Sequence, residues 1–284
     1  MPQSNKIGHP WSMGTKAADK HLSMAEQADK YELYEASVQN VEYEVEFVQN
    51  TYQAIRGRKA YFLREDFCGT ASAASEWAKQ GRKYQSIGVD VDFSVLEWGQ
   101  KNRVGKLESE DQLRVQLIQA NVLDVETPIV DVLLAFNFSY WIFDTRPKML
   151  EYFEKVYASL KSDGIFFCDI FGGSEAFEEM KEQTEHDGFT YVWHQEEFHP
   201  ITHFMRTHIH FAFPDGSKIK KAFTYEWRLW TAPEICELLL EAGFENPVVY
   251  WEQEDEDGEG NGEYCPESKG DADLAWISYI VAPK

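Results

Sequence analysis

Leu63-Arg64-Glu65-Asp66-Phe67-Cys68-Gly69-Thr70-Ala71 is the stretch on which the reading of this fold turns. It follows an extended apolar run, tightens into small residues and opens a helical pattern. A strand that enters a helix through such a turn leaves backbone N–H groups free and lets a ligand come close to the main chain. Glu65 and Asp66 would repel a pyrophosphate at that place. They suit a ligand with a cationic amino-acid portion instead.

Working outward, strands expected at 60–65, 86–90, 113–119, 130–137 and 164–171 alternate with helices at 71–80, 94–102 and 145–160. Such alternation means βαβ units and a parallel sheet covered on both faces. Upstream, Val38, Val41, Val45, Val48, Tyr52 and Ile55 recur at three- and four-residue steps, so 25–56 reads as helix with one apolar face, stopped by Gly57. Residues 1–24 mix Pro, Gly, Ser and Lys and are expected to be mobile. The chain therefore divides into a mobile segment and helical cap, 1–56, and a main domain, 57–284.

The last third changes character. Segments 189–198, 203–213 and 218–229 read as three strands, with a turn at Pro214-Asp215-Gly216-Ser217. An antiparallel meander inserted over 189–230 fits them better than another βαβ unit. A helix at 232–242, closed by Gly243, precedes two final strands at 247–252 and 274–281. The acidic, glycine-rich run between them is expected to be a mobile, solvated loop.

Composition narrows the partners. With 27 basic against 49 acidic residues and a net charge of −22, the chain lacks the cationic footprint of a nucleic-acid or membrane-surface binder. Cys68, Cys168, Cys236 and Cys265 are widely spaced and form no CxxC pair, so they read as reduced thiols. No stretch is long and apolar enough to span a membrane, and a cytoplasmic monomer or homodimer acting on a small-molecule substrate is expected.

In an open α/β sheet, ligands bind at the carboxyl ends of the strands, near the topological switch point. After the second strand, Asp90 in Gly88-Val89-Asp90-Val91-Asp92 stands about 20 residues past the glycine turn, where a carboxylate can accept ribose hydroxyls. After the third strand, Asn121 can meet an adenine amino group while the next backbone N–H, on Val122, serves a ring nitrogen. A dinucleotide-binding site would need G-x-G-x-x-G, and Phe67 and Ala71 occupy its glycine positions.

These residues carry a resemblance. Residues 61–171 are similar to a class I S-adenosylmethionine (SAM)-dependent methyltransferase, and the C-terminal helix with its two strands resembles that family's closing elements. Leu-Arg-Glu-Asp-Phe-Cys-Gly-Thr, Asn-Phe-Ser-Tyr and Phe-Thr-Tyr-Glu-Trp-Arg-Leu-Trp also resemble a bacterial small-molecule methyltransferase group. The resemblance implies a Rossmann-like α/β fold with a seven-stranded, mostly parallel sheet, helices on both faces, the helical cap and the meander. It implies SAM as cofactor and S-adenosylhomocysteine as its product. Glu65 then takes the acidic position and Gly69 the central glycine, with Phe67 where another glycine is usual. Asp90 takes the ribose, Val91 and Asn121 the adenine, and Asn137 the position facing methionine and substrate. Tyr31 and Tyr34 lie in an N-terminal extension of the kind that often covers the cofactor.

Methyl transfer from a sulfonium is an in-line displacement that rests on positioning and exclusion of water, with a base only where the nucleophile must lose a proton. Asn137 and Tyr140, after the fourth strand, are expected to border the reactive methyl group. Arg206, His208 and Arg228 are expected to face a substrate if the meander roofs the site. His208 and His210 lack a third ligand, so no metal is expected. Two other readings share these residues: a SAM or S-adenosylhomocysteine sensor without turnover, and an aminopropyl transferase using decarboxylated SAM.

Overall fold

The computed structural model describes residues 22–255, 258 and 260–284. The expected mobile segment 1–24 falls almost wholly outside them. The cap is three helices rather than one: α1 (Met24–Gln27), α2 (Lys30–Val38) and α3 (Val41–Arg56). Asp29 caps α2 by accepting the Tyr31 N–H, and Gln39-Asn40 break the chain before α3. Val45, Val48 and Tyr52 are buried as the apolar stripe requires, but Ile55 is exposed and Val38 belongs to the separate helix.

The core follows as β1 (Phe62–Asp66), α4 (Ser72–Lys79), β2 (Gln85–Asp90), α5 (Phe93–Asn102), α6 (Ser109–Gln112), β3 (Val115–Gln119), β4 (Val130–Ala135), α7 (Arg146–Ser159) and β5 (Leu160–Gly172). Then come β6 (Met180–His186), β7 (Phe189–Phe198), β8 (Phe204–Ala212), β9 (Lys218–Arg228), α8 (Ala232–Glu241), β10 (Val248–Glu254), β11 (Gly260–Glu267) and β12 (Trp276–Pro283). The main sheet runs β11-β10-β12-β5-β4-β1-β2-β3. Strands β1 to β5 pair in parallel, and β12, β10 and β11 join antiparallel.

The sheet thus has eight strands, not seven. The extra one is β11, drawn from the stretch expected to be a loop. It returns against β10, where Tyr264 reaches the aromatic cluster of Tyr43, Phe47 and Tyr279. Polarity hid a strand anchored by one aromatic. The outer sheet also gains a strand, since β6 pairs with β7 ahead of the expected β7-β8-β9 meander.

Alternation along the central strands sends side chains to opposite layers. Leu63, Val132, Ile165, Phe167 and Val281 meet α3 and α4, packed by Val48, Tyr52 and Trp77. Leu133, Phe166, Cys168 and Ile280 meet the α7–α8 side, packed by Phe153, Val156 and Leu239. Truncating a fully buried ring such as Phe153 to alanine costs about 3–5 kcal/mol. The chain steps from β3 on one side of β1 to β4 on the other, which places the switch point between β1 and β4.

Candidate functional site

The turn after β1 has the expected shape with unexpected residues. Phe67, Gly69 and Ala71 are all left-handed, at φ 57°, 51° and 59°. For the two non-glycines that conformation costs about 1–3 kcal/mol each. Packing holds it in place. The Phe67 ring lies 5.7 Å from Tyr152 and 6.1 Å from Phe143. Glycines outside the turn make the room: a Cβ on Gly88 would come 2.8 Å from Cys68 Sγ, and one on Gly99 would overlap the Thr70 carbonyl.

Strand alternation separates the two carboxylates that the sequence offered together. Asp66 turns to the α7 side, where its Oδ1 accepts Arg64 Nε at 2.7 Å and its Oδ2 accepts the Tyr152 hydroxyl at 3.1 Å. It is a core residue with its own counter-ion, not a ligand group. Glu65 turns to the α3 side and accepts one backbone N–H, from Ala74 at 2.9 Å. Burial pushes its carboxyl up to about 8, with Glu44, Asp90 and Asp66 adding to the rise.

Asp90, at the end of β2, accepts the Gly69 N–H at 2.9 Å and the Asp92 N–H at 2.9 Å. Each carboxylate oxygen keeps a lone pair for a hydroxyl. Val91 is exposed and Val122 is buried. Asn121 is exposed with its side-chain oxygen already accepting the Leu123 N–H at 3.0 Å, so its free amide group is a donor. The side-chain oxygen keeps a second lone pair, so it can still accept from an adenine amino group.

At the end of β4, Asn137 and Phe138 are both left-handed, and their N–H groups donate to Asp169 at 2.6 and 2.9 Å. Asp169, on β5, was not anticipated. Burial raises its carboxyl to about 7 despite those two bonds. Glu44, on α3, was missed too, although a signal existed: it falls three residues after Val41 and four before Val48, a carboxylate on the apolar stripe. Burial, and then Asp169, push it up to about 8. Glu65 and Asp169 share the sheet face that α3 covers, so three carboxylates gather there.

Beside them opens a cavity of about 710 Å³. Glu44, Asn137 and Asp169 form its floor, and Tyr34 and Ser37 of α2 close one side. The opposite wall is the inner face of the outer sheet, with Tyr191, Trp193, Tyr225 and Trp227. Trp276, Tyr279 and Tyr264 complete it from β12 and β11. The cap is pinned over this space. Glu35 pairs with Arg103 and accepts the Ser72 hydroxyl, and Asp29 accepts Trp98 Nε1 at 2.6 Å. Tyr31 packs on Trp98 and Phe223 and does not line the cavity, whereas Tyr34 does.

The expected substrate residues divide accordingly. Asn137 lines the cavity. Tyr140 is fully buried in the core and donates to the Asp169 carbonyl at 2.8 Å, so it does not border a substrate. Arg206, His208 and Arg228 lie on the outer sheet's other face. Arg206 pairs with Glu197 and Glu226, His208 bridges Glu196 and Thr224 at 2.8 Å each, and Arg228 meets Glu234 at 2.7 Å. The period of two that puts the aromatics inside puts these residues outside.

The chain's likenesses agree with this geometry. Residues 66–168 match the family described as methyltransferase domain. No curated protein matches the chain significantly. Among solved structures it is similar to a SAM-dependent methyltransferase from Clostridium acetobutylicum ATCC 824, at 14% identity, covering 89% of this chain and 96% of that one, with a TM-score of 0.66. An amino pentose methyltransferase from Micromonospora echinaspora, solved with SAM bound, is similar at 14% identity over 90% and 97%, with a TM-score of 0.62. A sugar N-methyltransferase from Streptoalloteichus sp ATCC 53650 is similar at 16% identity over 98% and 99%, with a TM-score of 0.60. Residues 66–168 thus resemble a methyltransferase domain, and the chain as a whole has the fold of these SAM-dependent methyltransferases.

Proposed function

We propose that the protein is a SAM-dependent methyltransferase that acts on a small or medium organic molecule held in the cavity between the main and outer sheets. The observation that carries the reading is electrostatic. Burial drives Glu65, Glu44 and Asp169 up to about 8, 8 and 7, with Glu44 adding to the rise of Glu65 and Asp169 to that of Glu44. Among the described residues no lysine or arginine pairs with any of them. Such an arrangement is costly unless a cation occupies it.

Bound there, SAM supplies an electrophilic methyl group on a sulfonium and an ammonium on its amino-acid tail. Glu65 receives the ammonium, Asp90 accepts the ribose hydroxyls, and Asn121 and Val91 border the adenine. Asn137, held by its N–H bond to Asp169, borders the methyl group and the acceptor. Helices α1 to α3 serve as the cap of a domain that begins at residue 57, with Tyr34 excluding water from the cavity. The amino pentose and sugar methyltransferases among its structural likenesses support a polar, medium-sized acceptor.

Calorimetry with SAM, S-adenosylhomocysteine, decarboxylated SAM and NAD tests the reading. SAM and S-adenosylhomocysteine should bind and NAD should not. Failure of the first two to bind would remove the cofactor assignment. Methyl release against a pool of cell metabolites then separates an enzyme from a sensor.

A further inference from the structure

We propose that the methyl acceptor is an amine that enters as its ammonium ion between Glu44 and the aromatic wall, and that Glu44 takes the proton nitrogen must lose before methylation. This rests on the methyltransferase reading and assigns the substrate class of the same site.

The cavity's charge is the first observation. Glu44, Asp169, Glu175, Glu182 and Glu252 line it, and no lysine or arginine does among the described residues. An anionic acceptor would be repelled from every side. The aromatic wall is the second. Trp193, Tyr225, Trp227, Trp276 and Tyr279 surround the space, and ring faces attract a cation that the carboxylates draw in. A neutral acceptor would gain no charge attraction from either feature.

Glu44 itself is the third. Asp169 already holds two backbone N–H groups, whereas no described residue donates to Glu44 or pairs with it. Glu42 and Glu44 both lie in the first turn of α3, where a carboxylate suits the helix dipole, and Glu42 is exposed. Glu44 instead faces inward. Asp169 from β5 adds to its rise, and Glu44 in turn raises Glu65 on β1 and Tyr279 on β12, so the titratable groups coupled to it are all acids. Burial, and then Asp169, push its carboxyl up to about 8, toward the range where a proton acceptor is effective.

The step balances. One ammonium proton passes to a Glu44 carboxylate oxygen and frees the nitrogen lone pair. That pair forms the new bond to the methyl carbon as the carbon–sulfur bond breaks, its electrons going to sulfur. The products are an N-methylammonium ion and a neutral thioether.

The test uses the full chain saturated with S-adenosylhomocysteine, with tryptophan fluorescence reporting the Trp193 and Trp227 wall. The probes are benzyltrimethylammonium and its uncharged isostere neopentylbenzene. The cation should bind at least about tenfold tighter than the isostere, and Glu44→Gln should weaken the cation about tenfold while leaving the isostere unchanged. Equal binding of the two probes, or a Glu44→Gln variant that still prefers the cation fully, overturns the proposal. If S-adenosylhomocysteine itself does not bind, the methyltransferase reading falls and the proposal with it. Turnover on matched primary amines and alcohols adds a chemical readout: amines should be methylated, and methylation of the alcohols alone overturns the assignment.

Discussion

Asp66 and Glu65 are adjacent in one strand, yet they belong to opposite kinds of site. On the α7 side, Asp66 is closed inside the chain's own network: Arg64 Nε and the Tyr152 hydroxyl reach it, and Arg64 extends to Thr127 and Ser159. On the α3 side, Glu65 has a single backbone donor, and beyond it stand Glu44 and Asp169. The first carboxylate is compensated by folding. The second group has no cationic partner among the described residues. A buried carboxylate therefore says nothing about function until its counter-charge has been located.

Breaking the closed side should cost most. Arg64→Leu strands Asp66 without its counter-ion and should lower the unfolding free energy by about 3–5 kcal/mol in urea denaturation. The Arg64→Leu/Asp66→Leu double replacement should lose less than the single, because both charges leave together. A double variant as unstable as Arg64→Leu would mean that the pair is held for packing rather than charge.

The open side should respond with the opposite sign. Glu65→Gln should raise the melting temperature of the ligand-free protein near neutral pH and weaken SAM and S-adenosylhomocysteine by about tenfold or more. The pH dependence follows from the raised carboxyls. Glu65 and Glu44 sit at about 8 and Asp169 at about 7, above their ordinary values of 4.5 and 3.8. The folded state thus keeps protons that the unfolded chain has released. Their contribution to stability is greatest below the unfolded values and is lost as pH rises through the folded ones. A melting series from about pH 5 to about pH 8 should show the wild type losing more than Glu65→Gln, and parallel curves would sink the assignment.

The smallest effect belongs to the outer face of the second sheet. Arg206→Ala removes exposed ion pairs to Glu197 and Glu226, and should cost no more than about 1 kcal/mol. Methyl transfer should be unchanged. A clear loss of turnover would place that face in contact with the acceptor and reverse the orientation drawn from β8.

Much of the fold was legible because it is written in local periods. The expected strands and the helices after residue 57 fall within a few residues of those observed, and β4 ends early only because Asn137 and Phe138 turn left-handed. The cap's two breaks, at Ala28-Asp29 and Gln39-Asn40, were masked by apolar spacing that continues across them. Strand β11 was masked by acidity, since its support comes from aromatic contacts to α3 and β12 rather than from its own pattern.

By itself the sequence determined the strand–turn–helix at Leu63 to Ala71, the carboxylate Asp90 at the next strand end, and the alternating faces of β8. All three follow from steric and periodic rules that act over a few residues. The tertiary structure decided which of Glu65 and Asp66 has an internal counter-ion, that Glu44 and Asp169 stand on the same sheet face as Glu65, and that Arg206 and His208 point away from the cavity. Those outcomes depend on what packs against each face: Arg64 and Tyr152 on one side of the sheet, and α3 on the other. Charge compensation between residues far apart in the chain leaves no local period, and only the assembled layers reveal it.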